Sequence, residues 1–331
     1  MRALVITRHG PPEVLQVEQR PDPTPARGQI LINVRAAGIN FADLMARMGL
    51  YPDAPKPPCV VGYEVAGTVA AVGDGVERFA VGDRVAAPVR FGGYAERAVT
   101  AADGAFPLPE AMSFEDGAAI PVNYATAWEA IVRGGNVQPG ERVLIHSAGG
   151  GVGIAATQLA KRAGAEVWGT ASPGKHDAIR GFGVDHPIDY TTPGWERGVP
   201  SLDLVMDAIG GASFRRSYKL LRAGGRLVCF GASGLVAGTE RNLLAAAKTA
   251  VQMPWFNILR QMSASKAVIG LNVLTLWDEH GASRWSGPLT ELIETGAISP
   301  VVAKSFPLEQ GAEAHRFIAD RRNTGKVVLV P

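Results

Sequence analysis

Val143-Leu144-Ile145-His146-Ser147-Ala148-Gly149-Gly150-Gly151-Val152-Gly153 is the stretch on which the fold of this chain turns. Its first three residues are an unbroken apolar run, expected of a strand buried on both faces of a parallel sheet. From Val152 onward, Ala155, Ala156, Leu159, Ala160 and Ala163 recur at helical spacing and mark a buried stripe. Between run and stripe stands Ala-x-Gly-x-x-Gly, with Ala148 in the place of the usual first glycine. Gly150 lets a backbone approach a pyrophosphate, and Gly153 lets the helix pack close to the strand. The opening of that helix, at Gly151 and Val152, offers free N–H groups and a partial positive charge to an anion. A glycine motif alone is weak; a glycine motif between a strand and a helix predicts dinucleotide binding over a structural turn.

The same rhythm extends downstream. Val167-Trp168, Leu204-Val205-Met206 and Leu227-Val228-Cys229-Phe230 continue a strand series that alternates with helical segments, which implies a doubly wound α/β sheet. Upstream the pattern differs. Ala3–Thr7, Ile30–Val34, Thr68–Val72, Arg84–Ala87 and Ala98–Thr100 are short apolar runs parted by Gly, Pro and Asp, the signature of a β-rich domain with tight corners. One helix interrupts them, Phe41 to Met48. The expected organisation is a β-rich domain over 1–123, a dinucleotide-binding domain over 124–266, and a return to the first domain over 267–331, where Lys326 to Val330 pairs back as a strand. At 331 residues, two cores are the natural division.

Composition closes off several function classes. A net charge of +2 gives no field to argue for nucleic acid. Two cysteines, Cys59 and Cys229, make no disulfide framework, and a cytoplasmic setting follows as the default. Met1 to Thr7 runs into Gly10-Pro11-Pro12 too soon for a signal peptide. Leu243 to Leu259, broken by Lys248, Gln252, Pro254 and Asn257, predicts an amphipathic helix and no integral membrane segment. Leu243, Leu244, Val251, Met253, Trp255, Phe256 and Leu259 in the insert Val236–Ala264 read as core, with a lid or subunit contact as the other option.

The nucleotide is chosen at the end of the second strand. An NAD site carries an acid about twenty residues on, for the ribose hydroxyls. Here Gly169-Thr170-Ala171-Ser172-Pro173-Gly174-Lys175 has no carboxylate before Asp177. The Ser172 hydroxyl and the Lys175 charge suit a 2′-phosphate, so NADPH is the expected cofactor.

Gly38-Ile39-Asn40-Phe41-Ala42-Asp43-Leu44-Met45-Ala46-Arg47 with Gly49-Leu50-Tyr51, the glycine loop, His186-Pro187-Ile188-Asp189-Tyr190 and Gly325-Lys326-Val327-Val328-Leu329-Val330-Pro331 together resemble the zinc-independent quinone oxidoreductases of the medium-chain dehydrogenase/reductase superfamily. Within it they are similar to the branch of synaptic-vesicle-membrane proteins named for vesicle amine transport. The resemblance implies a GroES-like catalytic domain split around a Rossmann domain, an active site in the cleft, and a homodimer through Rossmann edge strands. It also implies residue roles. Asn40 and Thr126 would line the nicotinamide pocket; Ser172, Lys175 and Tyr190 would surround the 2′-phosphate. Phe230, Gly231 and Ser233 would lie against the cofactor at a later strand end, with Arg321 near the C-terminus reaching it too.

Related alcohol dehydrogenases need zinc held by cysteine and histidine. Here the first ligand position reads Asn40, and the family's Gly-His-Glu reads Gly62-Tyr63-Glu64. No metal ligand set is expected. Without a Lewis acid, reduction of a quinone or enone fits better than alcohol oxidation: the acceptor's charge lands on an oxygen that needs only hydrogen-bond donors. Asn40 is a candidate donor. Tyr51 reads either as the group that stabilises or protonates the acceptor, by resemblance to enoyl-thioester reductases, or as a structural aromatic. Asp43 and Arg47, one helical step apart, are expected to pair. The function that follows is NADPH-dependent reduction of a quinone, with an enone or enoyl-thioester reductase, or a cofactor-binding protein with little turnover, as alternatives.

Overall fold

The computed structural model describes every residue except 237, 240 and 241. The chain divides into two compact units. One comprises Met1–Ala125, Leu274–Pro331 and a short piece around Thr239; the other comprises Thr126–Ala237 and Asn242–Val273.

The first unit is organised around one long strand, Gln29–Ile39, whose residues are buried along most of its length. Glu64–Val72 pairs antiparallel along one edge, from Ile30↔Val72 to Ala37↔Val65. The other edge is shared: Arg97–Ala101 takes its first half, and Lys326–Val330 takes its end. The tail strand therefore does pair back with the β-rich domain. Arg84–Pro88 and Val302–Pro307 extend the sheet on either side, and Arg2–Ile6 sits in a separate three-stranded sheet. Leu4, Ile6, Ile30, Ile32, Val65, Val85 and Leu329 fill one continuous core. Helix α1, Phe41–Met48, has the expected bounds because both ends carry stop signals. Asp43 at the third helical position accepts the Asn40 backbone N–H (2.8 Å), and Gly49 closes the helix in the left-handed conformation.

The second unit is a six-stranded parallel sheet. Its strands are β1 (Arg142–Ile145), β2 (Glu166–Ala171), β3 (His186–Asp189), β4 (Leu202–Asp207), β5 (Leu221–Cys229) and β6 (Ala267–Gly270), in spatial order 3-2-1-4-5-6. That is the Rossmann order, with its switch point between β1 and β4. Val143, Leu144 and Ile145 are fully buried, as their apolar run requires. Helix α2, Gly151–Arg162, follows β1 and buries Ile154, Ala155, Ala156, Leu159 and Ala160.

Two expectations are corrected. Residues 267–273 do not begin the return segment: Ala267–Gly270 hydrogen-bonds β5 as the sixth parallel strand, so the second unit runs on to Val273. The stretch from Leu243 is not one amphipathic helix but two, Leu243–Val251 and Ile258–Ala264, parted around Pro254, which cannot continue a helix. Phe256, in the link between them, packs against the core of the second unit and the Tyr218 ring (5.3 Å), but most of the stripe is not core. Trp255 is 100% exposed and Leu244 and Val251 are 86% exposed. Residues 237, 240 and 241 of this insert lie outside the described residues. No helix among the described residues is long and apolar enough to cross a membrane.

Candidate functional site

The glycine segment leaves β1 at the switch point and turns sharply. Ser147 takes a positive φ of 56°, the Ala148 N–H donates to the Thr170 carbonyl (3.0 Å), and the Gly150 N–H donates to the Ser147 carbonyl (2.9 Å). Gly150 caps α2 without any side-chain acceptor, so the first N–H groups of the helix stay free for a ligand. Gly153 is there for contact: a Cβ on it would stand 2.3 Å from the Ser147 carbonyl oxygen. Lys175 lies beside this loop, its stem 3.4 Å from where a Cβ on Gly149 would be. Ser172 and Tyr190 follow the paired ends Ala171↔Asp189 of β2 and β3, so they leave the sheet as neighbours. Phe230, Gly231 and Ser233 follow β5, and the Ser233 N–H donates to the Ala208 carbonyl (2.8 Å) in the loop after β4. These residues gather at the carboxyl edge of one sheet, where open α/β sheets bind their ligands. The arrangement fits a dinucleotide: a helix N-terminus without a side-chain cap for the pyrophosphate and the Lys175 side chain beside the glycine loop.

Beneath the loop lies a buried polar chain that the sequence reading missed. His146 Nδ1 is 3.2 Å from Thr170 Oγ1, which also accepts the Ser147 N–H (3.2 Å). His146 Nε2 is 3.0 Å from Ser217 Oγ, and Ser217 and Ser213 each donate to Asp207 (2.7 Å). Burial pushes the imidazole pKa down, which suits a neutral ring bridging two hydroxyls. The chain ties β1, β2 and β4 together under the glycine turn. Its only sequence signal was a histidine immediately before the motif.

In the first unit, Asn40 stands at the N-terminus of α1 in a dense network. Its Nδ2 donates to Glu64 Oε1 (2.9 Å), and its Oδ1 accepts from Lys326 Nζ (2.7 Å). Lys326 forms a buried ion pair with Glu64, and Glu64 Oε2 accepts the Val122 N–H (2.7 Å). Gly38 makes room for this: a Cβ there would fall 2.7 Å from the Glu64 side chain.

Asp43 and Arg47 do not pair. The Asp43 carboxylate takes N–H bonds from Asn40 (2.8 Å) and Gly62 (3.1 Å) and the Tyr94 hydroxyl (2.8 Å). Arg47, fully buried, donates instead to the carbonyls of Gly10 (2.5 Å) and Thr239 (3.1 Å). Tertiary donors had already filled the carboxylate. Burial moreover raises the Asp43 pKa to about 7, against the pull of those donors, so it is a poor counter-ion.

Tyr51 follows the other end of α1 and lines a recess of about 200 Å³ with His9, Leu50, Pro52, Ala54 and Lys56. Its ring meets Tyr63 edge-on at 6.3 Å, and Tyr63 meets Phe91 at 5.0 Å. Burial first, then the charge of Asp53, push the Tyr51 pKa to about 12, which holds the phenol as a donor at neutral pH. Asn40 and Tyr51 are thus separated by the whole of α1, roughly 12 Å for eight residues. Thr126 begins the second unit, buried on the helix Pro121–Ala127, and Arg321 lies in the first unit, exposed and left-handed after the helix Gly311–Ala319.

Zinc does not fit this centre. Lys326 places an ammonium against both Asn40 and Glu64, and Tyr63 offers a phenol where an imidazole would ligate. No cluster of three metal-ligating side chains occurs among the described residues.

A barrel-like β unit joined to a 3-2-1-4-5-6 parallel sheet with a glycine turn at the switch point defines an oxidoreductase of the medium-chain dehydrogenase/reductase superfamily, and the chain belongs to it. Residues 26–110 match the alcohol dehydrogenase GroES-like domain and residues 182–329 match the zinc-binding dehydrogenase family. Among individual proteins, the human synaptic vesicle membrane protein VAT-1 homolog is 40% identical, over 100% of this chain and 86% of its own length. The quinone oxidoreductase of Escherichia coli, solved with NADPH, superposes with a TM-score of 0.86 at 30% identity, covering 100% of both chains. The CurK enoyl reductase superposes with a TM-score of 0.87 at 26% identity, over 99% of this chain and 98% of its own.

Proposed function

We propose that this protein reduces a quinone or related conjugated carbonyl by hydride transfer from NADPH, without a metal. The observation that carries the reading is the β1–glycine turn–α2 unit with Lys175 beside it; the likeness to an NADPH-bound quinone oxidoreductase supports it. When bound, the nicotinamide supplies the hydride. The chain's own part is to hold and to donate. Gly150, Gly151, Val152 and Gly153 receive the pyrophosphate, while Ser172, Lys175 and Tyr190 select the 2′-phosphate. Ala148, Phe230, Gly231, Ser233 and Thr126 form the floor under the cofactor, and Arg321 belongs to its proposed contacts. Asn40 donates a hydrogen bond to the acceptor oxygen, and Tyr51 holds a proton for it.

A second reading, 2-enoyl reduction, is favoured by the protonated Tyr51 and by the likeness to an enoyl reductase. A third, from another class, is a cofactor-binding protein with little turnover. One panel separates them: oxidation of NADPH followed with quinones, enones and enoyl thioesters. Turnover on quinones supports the leading reading, turnover confined to enoyl thioesters the second, and tight NADPH binding without turnover the third. NADPH is expected to bind at least roughly tenfold tighter than NADH, since a charge-assisted hydrogen bond contributes about 1.5–3 kcal/mol. Lys175→Ala should weaken NADPH and spare NADH, and equal dissociation constants in the wild type would remove the cofactor assignment.

The proposal extends to a cytoplasmic homodimer. β6 is an edge strand of the parallel sheet, and Leu244, Val251 and Trp255 are exposed apolar side chains of the same unit.

A further inference from the structure

We infer that Lys326 and Glu64 are positioning residues that fix and polarise the Asn40 amide, so that its remaining N–H is the donor aimed at the acceptor oxygen. The inference rests on the reductase reading and goes beyond it, because it assigns the work of the buried Lys326–Glu64 ion pair.

A free asparagine amide can turn end for end, since its oxygen and nitrogen are similar in size and opposite in polarity. Here the two partners forbid it. Lys326 Nζ can only donate, and it meets Asn40 Oδ1 at 2.7 Å. The Glu64 carboxylate can only accept, and it meets Asn40 Nδ2 at 2.9 Å. Turning the amide would set Nδ2 against an ammonium and Oδ1 against a carboxylate. Two unlike charges therefore write one orientation. The second Nδ2 hydrogen is left without a protein acceptor among the described residues, and Asn40 is only partly buried while Lys326 (3%) and Glu64 (0%) are closed off from solvent. The ammonium on Oδ1 also draws electron density through the amide, which makes the free N–H a stronger donor. The pair is itself braced from outside the helix: Glu64 by the Val122 N–H and Lys326 by Asn123 Oδ1 at 3.5 Å.

Removing Lys326 alone would strand a buried carboxylate, so the test variant is Lys326→Met with Glu64→Gln, which keeps the volume and an acceptor for Val122 while erasing both charges. In the wild-type background this double substitution should lower kcat on the best acceptor about tenfold or more, with the NADPH dissociation constant unchanged. In an Asn40→Ala background the same two substitutions should change kcat less than twofold, because their route to the acceptor is gone. An equal loss in both backgrounds, or no loss in either, overturns the inference. A second readout needs no turnover. By NMR of ¹⁵N-labelled protein, the wild-type Asn40 amide should show one slowly and one rapidly exchanging Nδ2 proton, and the variant should show two alike. That asymmetry tests the orientation even if no acceptor is reduced, so loss of the reductase reading is told apart from loss of this one; two equivalent protons in the wild type would overturn it.

Discussion

Tyr51 is the proposed proton donor to the acceptor. Its phenol is held protonated by burial and by Asp53, with a pKa of about 12, so in the proposed role it would give up its proton only to a strongly basic partner formed late in the reaction. Tyr51→Phe should therefore lower kcat roughly 10²-fold for an enone, whose carbon must be protonated, and leave cofactor affinity alone. For a quinone the loss should be much smaller, because the charge is delocalised and water supplies protons. Steady-state rates on one acceptor of each kind make the comparison, and a variant unchanged on both would return Tyr51 to its packing role against Tyr63. The same residue-scale logic explains why Asp43 missed Arg47. Helical spacing makes two residues neighbours, but Tyr94 and the Gly62 N–H reach the carboxylate from loops distant in sequence.

At the scale of an element, the decisive contact is that of α2 with the turn before it. A methyl group at position 153 would collide with the Ser147 carbonyl at 2.3 Å and with Ala148 Cα at 2.8 Å. Both are backbone atoms that cannot swing aside, so the helix must lift. Gly153→Ala should cost about 1–3 kcal/mol of stability, as overpacking does, and weaken NADPH binding at least tenfold. Gly198→Ala, where nothing lies within 4 Å of the new methyl, is the control and should change neither. Denaturant melts and NADPH titration read the two effects; an affinity retained by Gly153→Ala would show that the pyrophosphate does not sit on this helix end.

For the molecule as a whole, two buried groups set opposing slopes of stability against pH. The Asp43 pKa rises from 3.8 to about 7, so its folded form keeps a proton that the unfolded form has lost. Its contribution is full below about pH 4 and is lost as pH rises through about 7. His315 is fully buried beside Arg47, and desolvation first, then the guanidinium charge, push its pKa well below 6.5. Its contribution is full above 6.5 and is lost as pH falls below that value. Between about pH 4 and 6.5 the two offset each other. Asp43→Asn should expose the histidine slope, with stability rising from pH 4 to 6.5, and His315→Leu should expose the opposite slope up to pH 7. Unfolding free energies across that range, compared with wild type, provide the check; parallel profiles in all three proteins would refute the assignment of either group.

The sequence by itself determined what depends on neighbours along the chain. Apolar runs gave the parallel strands, Asn40, Asp43 and Gly49 bounded α1, and the Ala148–Gly153 segment announced the glycine turn between strand and helix, because periodicity, capping and close backbone approach are all local properties. The tertiary structure alone decided what depends on convergence. Lys326 and Asn40 are 286 positions apart, and nothing in either segment announces that an ammonium will settle on an amide oxygen. The helices of residues 243–264 make the same point from the other side: an apolar stripe records that burial is wanted, but only the packed fold shows that Leu244, Val251 and Trp255 are left uncovered. Hydrophobic patterning is written residue by residue, whereas the pairing of buried charges and the covering of apolar faces are set by which strands and helices meet.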